Sequence, residues 1–237
     1  MKRKDSIDAL LLRSKKILEE IESFYDKNKK EKIISDDLKT NVMFCILCLH
    51  SVLHYLSREI IEMSDIKRTD KELRNLSFPI RSNTMDFRGF MSANYTRLDS
   101  ISPELYKYLE SIQPYQNTLN QWLSEFNKLA NEHKHNDLVP QIKESIPVID
   151  FGGPIVSGGF VSISKGAFVN GKIVKKSFVI EPNKKPPVEA KEYFENLTVY
   201  DWEEIIFETN SKPVLQSLII VHSNIDKIYQ KIKTLLV

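Results

Sequence analysis

The sequence predicts an α+β protein, mainly an α-helical bundle with an inserted small antiparallel β-sheet and a long C-terminal helix. Three observations carry that prediction. Apolar residues recur at three- and four-residue spacing from residue 5 to about residue 133, apart from one irregular stretch. From Ile146 the composition shifts to β-branched residues, glycines and prolines, with an Asn-Gly pair between two β-type runs. After Ser211 the helical spacing returns and holds to the end. With 237 residues, 41% of them hydrophobic, the chain can bury the core of one large domain or two small ones. The reading adopted is one helical bundle, 1–140 together with 210–237, interrupted by a β region at 146–208.

Each element follows from a local pattern. Over 5–28, Ile7, Leu10, Leu11, Leu18, Ile21 and Phe24 form an apolar stripe between charged residues, which makes an amphipathic helix. Ser35 opens the second helix, because its hydroxyl can accept from a free backbone N–H while Asp36 and Asp37 suit the positive end. This helix runs to about residue 63. Between Val42 and Leu56 it is apolar almost all round, so it is expected at the centre with the first helix along it.

Residues 64–101 keep no sustained period and read as a long ordered crossover, with an extended piece at 76–80 and a helical turn or two at 85–91. Ser102-Pro103-Glu104 supplies a cap, a proline at the first helical position and an acid in the first turn. That short helix ends near Gln113-Pro114 and buries Leu105, Leu109 and Ile112. The helix over 117–133 places Leu119, Trp122, Leu123, Phe126, Leu129 and Ala130 on one face and Asn127, Asn131 and His135 on the other. Strands are expected at 160–163, 167–169, 172–180 and 198–207, with Asn170-Gly171 as a hairpin turn because both residues tolerate positive φ. A solvated loop at 183–187 separates the last two. Ser211 and Pro213 open the final helix, whose Leu215, Leu218, His222, Ile225, Tyr229, Ile232 and Leu236 return to the bundle.

Composition narrows the function classes. The 34 basic and 32 acidic side chains leave a net charge of +2, so no general field draws in a nucleic acid or an anionic membrane, and such binding needs a local patch. The longest apolar run, residues 42–49, is far shorter than the roughly 20 residues of a membrane span, and no signal-peptide pattern opens the chain. Two cysteines three residues apart make no disulfide framework. A cytoplasmic protein with no membrane partner is expected.

Four runs, spread over roughly residues 45–140, form a family pattern. They are His50-Ser51-Val52-Leu53-His54-Tyr55-Leu56, Ser77-Phe78-Pro79-Ile80, Ser111-Ile112-Gln113-Pro114-Tyr115 and Leu129-Ala130-Asn131-Glu132-His133-Lys134-His135. Their order and spacing resemble a group of bacterial proteins with RSALDHL, FPI, IQPY and LNNxDKHR runs, which in turn resembles the helical bundles of the HEPN superfamily. The resemblance implies a helical bundle, a dimer, and a role in RNA cleavage or in antiviral and toxin systems. The charge chemistry differs: His50 and His54 stand at the Arg and Asp of the first run, Tyr55 at its His, and Asn136 at the final Arg. Nor does an Arg precede a His by five to seven positions, as the HEPN ribonuclease motif requires; Arg13, Arg58 and Arg97 have no such partner.

The residues themselves offer few chemical constellations. Asn131, Lys134 and His135, with Asn127 one turn earlier, share a helix face that can aim an amide, a cation and an imidazole at one phosphate. The commoner role of Lys and His at such a place is to cap the last carbonyls. His50 and His54 have the one-turn spacing of two metal ligands, but the acid of HExxH is absent and a third ligand would have to come from elsewhere, so core histidines are the preferred reading. Cys45 and Cys48 lie inside an apolar helix and read as core filler. Gly152-Gly153-Pro154 and Gly158-Gly159 read as turns, since no Gly-Lys-Ser/Thr follows. Lys165, Lys172, Lys175, Lys176, Lys184 and Lys185 with Phe160, Phe168 and Phe178 offer a basic, aromatic surface, which Asp201, Glu203, Glu204 and Glu208 offset. No cofactor motif is present.

Two functions follow. One is a non-catalytic, HEPN-like interaction module, a homodimer with a protein or RNA partner in bacterial defence or stress response. The other is a metal-independent ribonuclease or nucleotide-processing enzyme using His135, Lys134 and Asn131. The first is preferred because no complete catalytic set is visible.

Overall fold

The computed structural model describes residues 1–30, 33–63, 69, 76–135, 140–151, 155–157, 159–181 and 184–236, with side chains at all of these except 26–30, 133–135, 146–147, 155, 157 and 200–203. The chain is α+β and mainly helical. It divides into two compact units, Met1–Gln141 with Phe207–Val237, and Ile142–Ile206.

The first unit holds helices α1 (Lys4–Lys30), α2 (Asp36–Glu62), α3 (Thr84–Asn94), α4 (Leu98–Ile101), α5 (Pro103–Ser111) and α6 (Gln121–His135), and the last helix, Val214–Leu235. Ser35 caps α2 as expected, its hydroxyl accepting the Leu38 N–H at 3.3 Å. α2 is the central helix: Leu38, Val42, Ile46, Leu49, Val52 and Leu56 are fully buried, and it packs on α1, α6 and Val214–Leu235. By length and composition alone it is also the one described helix apolar enough to cross a membrane.

Two local expectations change. Ser102 makes no side-chain cap bond, because its φ of −142° and ψ of 78° turn it from the usual cap geometry, and α5 starts on Pro103 alone. Leu119, expected in the core, is 80% exposed, since Thr118–Asn120 is a 3-10 turn and the helical phase begins only at Gln121. From there Leu123, Phe126, Leu129 and Ala130 are buried as expected.

The second unit carries nearly all the strands: β1 (Gln141–Asp150), β2 (Ile155–Ser157), β3 (Val161–Ile163), β4 (Phe168–Val169), β5 (Lys172–Ile173), β6 (Phe178–Ile180) and β7 (Thr198–Phe207), with the short helix α7 (Val188–Lys191) between the last two. The terminal helix Val214–Leu235 is therefore α8. The pairings β1–β2, β3–β6 and β4–β5 are antiparallel. Instead of one sheet the described residues form three, in the orders β2-β1-β7, β3-β6 and β4-β5. The strand expected over 172–180 is broken because the Lys175 N–H donates to the Tyr193 hydroxyl, not to a ladder, at 3.1 Å. Extended structure also begins at Gln141, five residues before the expected change, because the polar Gln141, Lys143, Glu144 and Ser145 around a single Ile142 hide a strand from a composition reading.

Asn170 and Gly171, at φ of 46° and 80°, form the hairpin turn joining β4 to β5. The core of this unit gathers Ile149, Val174, Phe178, Ile180, Ala190, Tyr193 and Leu197. Tyr193 organises it: its ring stacks on Phe178 and its carbonyl accepts from the Asn170 amide at 3.0 Å.

Candidate functional site

The irregular run at 76–81 is where the helical unit becomes chemically interesting. It is an extended strap with no ladder partner among the described residues, and its internal backbone–backbone bond joins the Ile80 N–H to the Phe78 carbonyl at 2.9 Å. Leu76, Phe78 and Pro79 are buried while Ser77 faces out. Side chains hold the strap from both ends. The Tyr95 hydroxyl donates to the Ser77 carbonyl at 2.9 Å, and Gln113, fully buried at the end of α5, clasps 79–81. Its Oε1 accepts the Arg81 N–H at 2.9 Å, and its Nε2 donates to the carbonyls of Pro79 at 2.6 Å and Leu109 at 2.7 Å.

Between this strap, α2 and α6 lies a cavity of about 350 Å³, lined by His50, Leu53 and His54 of α2, Leu76, Ser77, Phe78, Ile80 and Arg81 of the strap, and Asn127 and Asn131 of α6. Leu53, Leu76 and Phe78 are buried and form its apolar part. Its polar lining carries a guanidinium, two imidazoles, two amides and a hydroxyl, with no carboxylate among the described residues. The runs at 50–56, 77–80 and 129–135 thus each place residues on the cavity, and the run at 111–115, through Gln113, fastens its wall.

Arg81 dominates the electrostatics. Its guanidinium lies 3.4 Å from the centroid of the Phe90 ring and donates to the Ile80 carbonyl. Among the described residues no carboxylate stands within ion-pair distance of it. Burial pulls its pKa below the ordinary arginine value, against weaker opposing pulls from Tyr95 and Asp86.

The sequence candidates fare differently. His50, His54, Asn127 and Asn131 come together on one cavity. Lys134 and His135 lie on the last turn of α6, but their side chains are outside the described residues, so Asn131 alone of that trio is located. Among the described residues no three His, Cys, Asp or Glu groups cluster at His50 and His54, and the side chains of His133 and His135 on α6 are outside the described residues. Cys45 is buried core, its thiol pushed up to about 12 by burial and, less, by Cys48. Cys48 is partly buried and also raised, by burial first.

In the β unit Phe178 is 6% exposed and offers no stacking surface, while Phe160 and Phe168 are exposed. Lys175 and Lys176 pair with Glu192 and Glu189, and Lys184 with Glu181, which spends much of the basic patch. Gly152, Gly153, Pro154, Gly158 and Asn183, with the side chains of Asp201 and Glu203, are outside the described residues.

Arg81 and Gln113 are the residues that sequence reasoning passed over. The available signals were an arginine directly after Phe78-Pro79-Ile80 and a glutamine held between Ile112 and Pro114 at a helix end. No family model matches the chain, no curated protein matches it, and no solved structure matches it.

Proposed function

We propose that this chain is a HEPN-like helical interaction module of the bacterial cytoplasm, acting in defence or stress response, whose ligand is phosphate-bearing and occupies the cavity at Arg81. Arg81 is the observation that carries this reading. A partly buried guanidinium with no carboxylate at ion-pair distance among the described residues is costly, and a ligand anion would offset that cost. Guanidinium is also the side chain best shaped for bidentate contact with phosphate. Asn127 and Asn131 both donate and accept, which suits a base edge or a ribose hydroxyl beside the phosphate. At about 350 Å³ the cavity is near the small end of ligand sites, so RNA would enter as one unstacked nucleotide or a strand end.

The test is calorimetric titration of the full chain with adenosine 5′-monophosphate and with a short single-stranded RNA. Saturable binding by the wild type, weakened about tenfold or more in Arg81→Ala, is expected, since a hydrogen-bonded charge pair contributes about 1.5–3 kcal/mol. Binding of both ligands unchanged by Arg81→Ala overturns the reading, as does no binding of either.

The enzymatic alternative draws support from Asn131 standing at the cavity on the helix that continues to Lys134 and His135. It requires single-stranded RNA to be cleaved in the presence of a chelator, with cleavage lost in His135→Ala. We also infer a homodimer, since Leu12, Phe44, Ile219 and Ile220 turn outward from the helical unit. A concentration-independent monomer mass in light scattering contradicts it.

A further inference from the structure

Pro79 has no N–H and the strap has no ladder among the described residues, so something other than regular structure must fix the direction in which Arg81 leaves the backbone. We infer that Gln113 is the positioning residue of the anion site: its carboxamide sets the backbone at 79–81 and thereby holds the Arg81 guanidinium on the cavity wall. The inference rests on the ligand reading above for its purpose, and on the geometry of the clasp for its substance.

The clasp asks for two donors and one acceptor within one small planar group. Nε2 faces the carbonyls of Pro79 and Leu109, and Oε1 faces the Arg81 N–H. The opposite orientation would aim an oxygen at two carbonyl oxygens, so the network settles which end is which. An ionised glutamate only accepts and a leucine does neither. Because Gln113 is fully buried, water does not replace a lost bond there without opening the structure. Arg81 is bound to this arrangement through its own N–H, and from that fixed point its guanidinium reaches back to the Ile80 carbonyl and the Phe90 ring.

The test is NMR of the full chain with isotope-labelled arginine. With the guanidinium 3.4 Å from the Phe90 ring centroid, the side-chain protons of Arg81 should be displaced upfield in the wild type, and Phe90→Leu, which should remove the displacement, assigns them. In Gln113→Glu at neutral pH the displacement should collapse and the affinity for adenosine 5′-monophosphate should fall about tenfold or more. Burial raises a glutamate's pKa, so lowering the pH protonates it, restores one donor and should bring part of the displacement back. Arg81, His50 and His54 are common to both proteins, so the wild-type pH series isolates the new group. Gln113→Leu should show no recovery at any pH.

A purely structural Gln113 would lower the melting temperature yet leave Arg81's displacement unmoved in the folded variant, and that result overturns the inference. If neither variant folds, hydrogen exchange on the wild type decides it: an Arg81 N–H protected like those of α2 supports the clasp, and rapid exchange overturns it. A wild type that binds no adenosine 5′-monophosphate while Arg81's displacement still follows Gln113 defeats the ligand reading and leaves the positioning role standing.

Discussion

Replacing Glu59 by alanine should destabilise the helical unit far more than an exposed glutamate would. Glu59 sits one turn before the end of α2 with its side chain 4% exposed, and its carboxylate caps the start of another helix. It accepts the N–H groups of Lys2 and Arg3, each at 2.8 Å, and the Arg3 guanidinium at 3.0 Å. α1 begins at Lys4, so these are donors that the helix cannot satisfy within itself, and a negative charge there also complements the helix dipole.

Hydrogen bonds to a charged acceptor contribute about 1.5–3 kcal/mol each, but they do not simply add here. Lys2 is exposed and can rehydrate, and Arg3 keeps Glu62 at 2.6 Å. The expected loss is therefore about 2–4 kcal/mol, equivalent to a Tm lower by roughly 5–15 °C. Glu59→Gln keeps one good acceptor and should lose about half as much. Urea unfolding followed by circular dichroism gives the ranking. A Glu59→Ala protein within about 0.5 kcal/mol of wild type, the range of ordinary surface substitutions, would refute the capping role.

Other consequences are equally open to measurement. The thiolate is the reactive form of cysteine, so Cys45, raised to about 12, and Cys48, also raised, should resist a thiol reagent at pH 8 in the folded chain and react when it unfolds; rapid labelling of native Cys45 contradicts this. The Asp8 carboxyl is held below its ordinary pKa by the hydrogen bond from Lys4, and next by that from Tyr229 at 2.6 Å. A lowered folded-state pKa means stability that is present above the ordinary aspartate value and lost as pH falls through the folded value. Asp8→Asn should therefore cost a little at neutral pH, under about 1 kcal/mol because the pair is half exposed, and nothing in strong acid; a cost that grows on acidification refutes the assignment. Phe126→Ala, at a 1% exposed position of α6, should cost about 3–5 kcal/mol in a denaturation experiment, and a near-neutral result would show the helix packed otherwise.

The long helices were legible because their burial is periodic: Ile7, Leu11, Leu18 and Ile21 of α1, Val42, Ile46, Leu49, Val52 and Leu56 of α2 and the last-helix positions Leu218, Ile225, Tyr229 and Ile232 are buried as spaced, whereas Phe24 at the end of the α1 stripe and Phe44 in the apolar centre of α2 are exposed. Leu119 misled because a one-turn 3-10 segment shifts the phase without changing the composition. In the β region the Asn170-Gly171 turn was readable from backbone preference alone, whereas the break of 172–180 was not, because it depends on a tyrosine eighteen residues away in sequence. The site divides the same way. His50 with His54 and Asn127 with Asn131 are local helix-face pairs, which spacing reveals. Arg81 meets Gln113 across 32 residues and Glu59 meets Lys2 across 57, and a strap without periodicity leaves no pattern to read.

The most direct test of the cavity is to map adenosine 5′-monophosphate on the isotope-labelled full chain by chemical-shift perturbation. Shifts that saturate together and concentrate at His50, His54, residues 77–81, Asn127 and Asn131, and that vanish in Arg81→Ala, are the expected result. Shifts confined to other surfaces, such as the β unit, or a map that Arg81→Ala leaves unaltered, would contradict a phosphate site at Arg81.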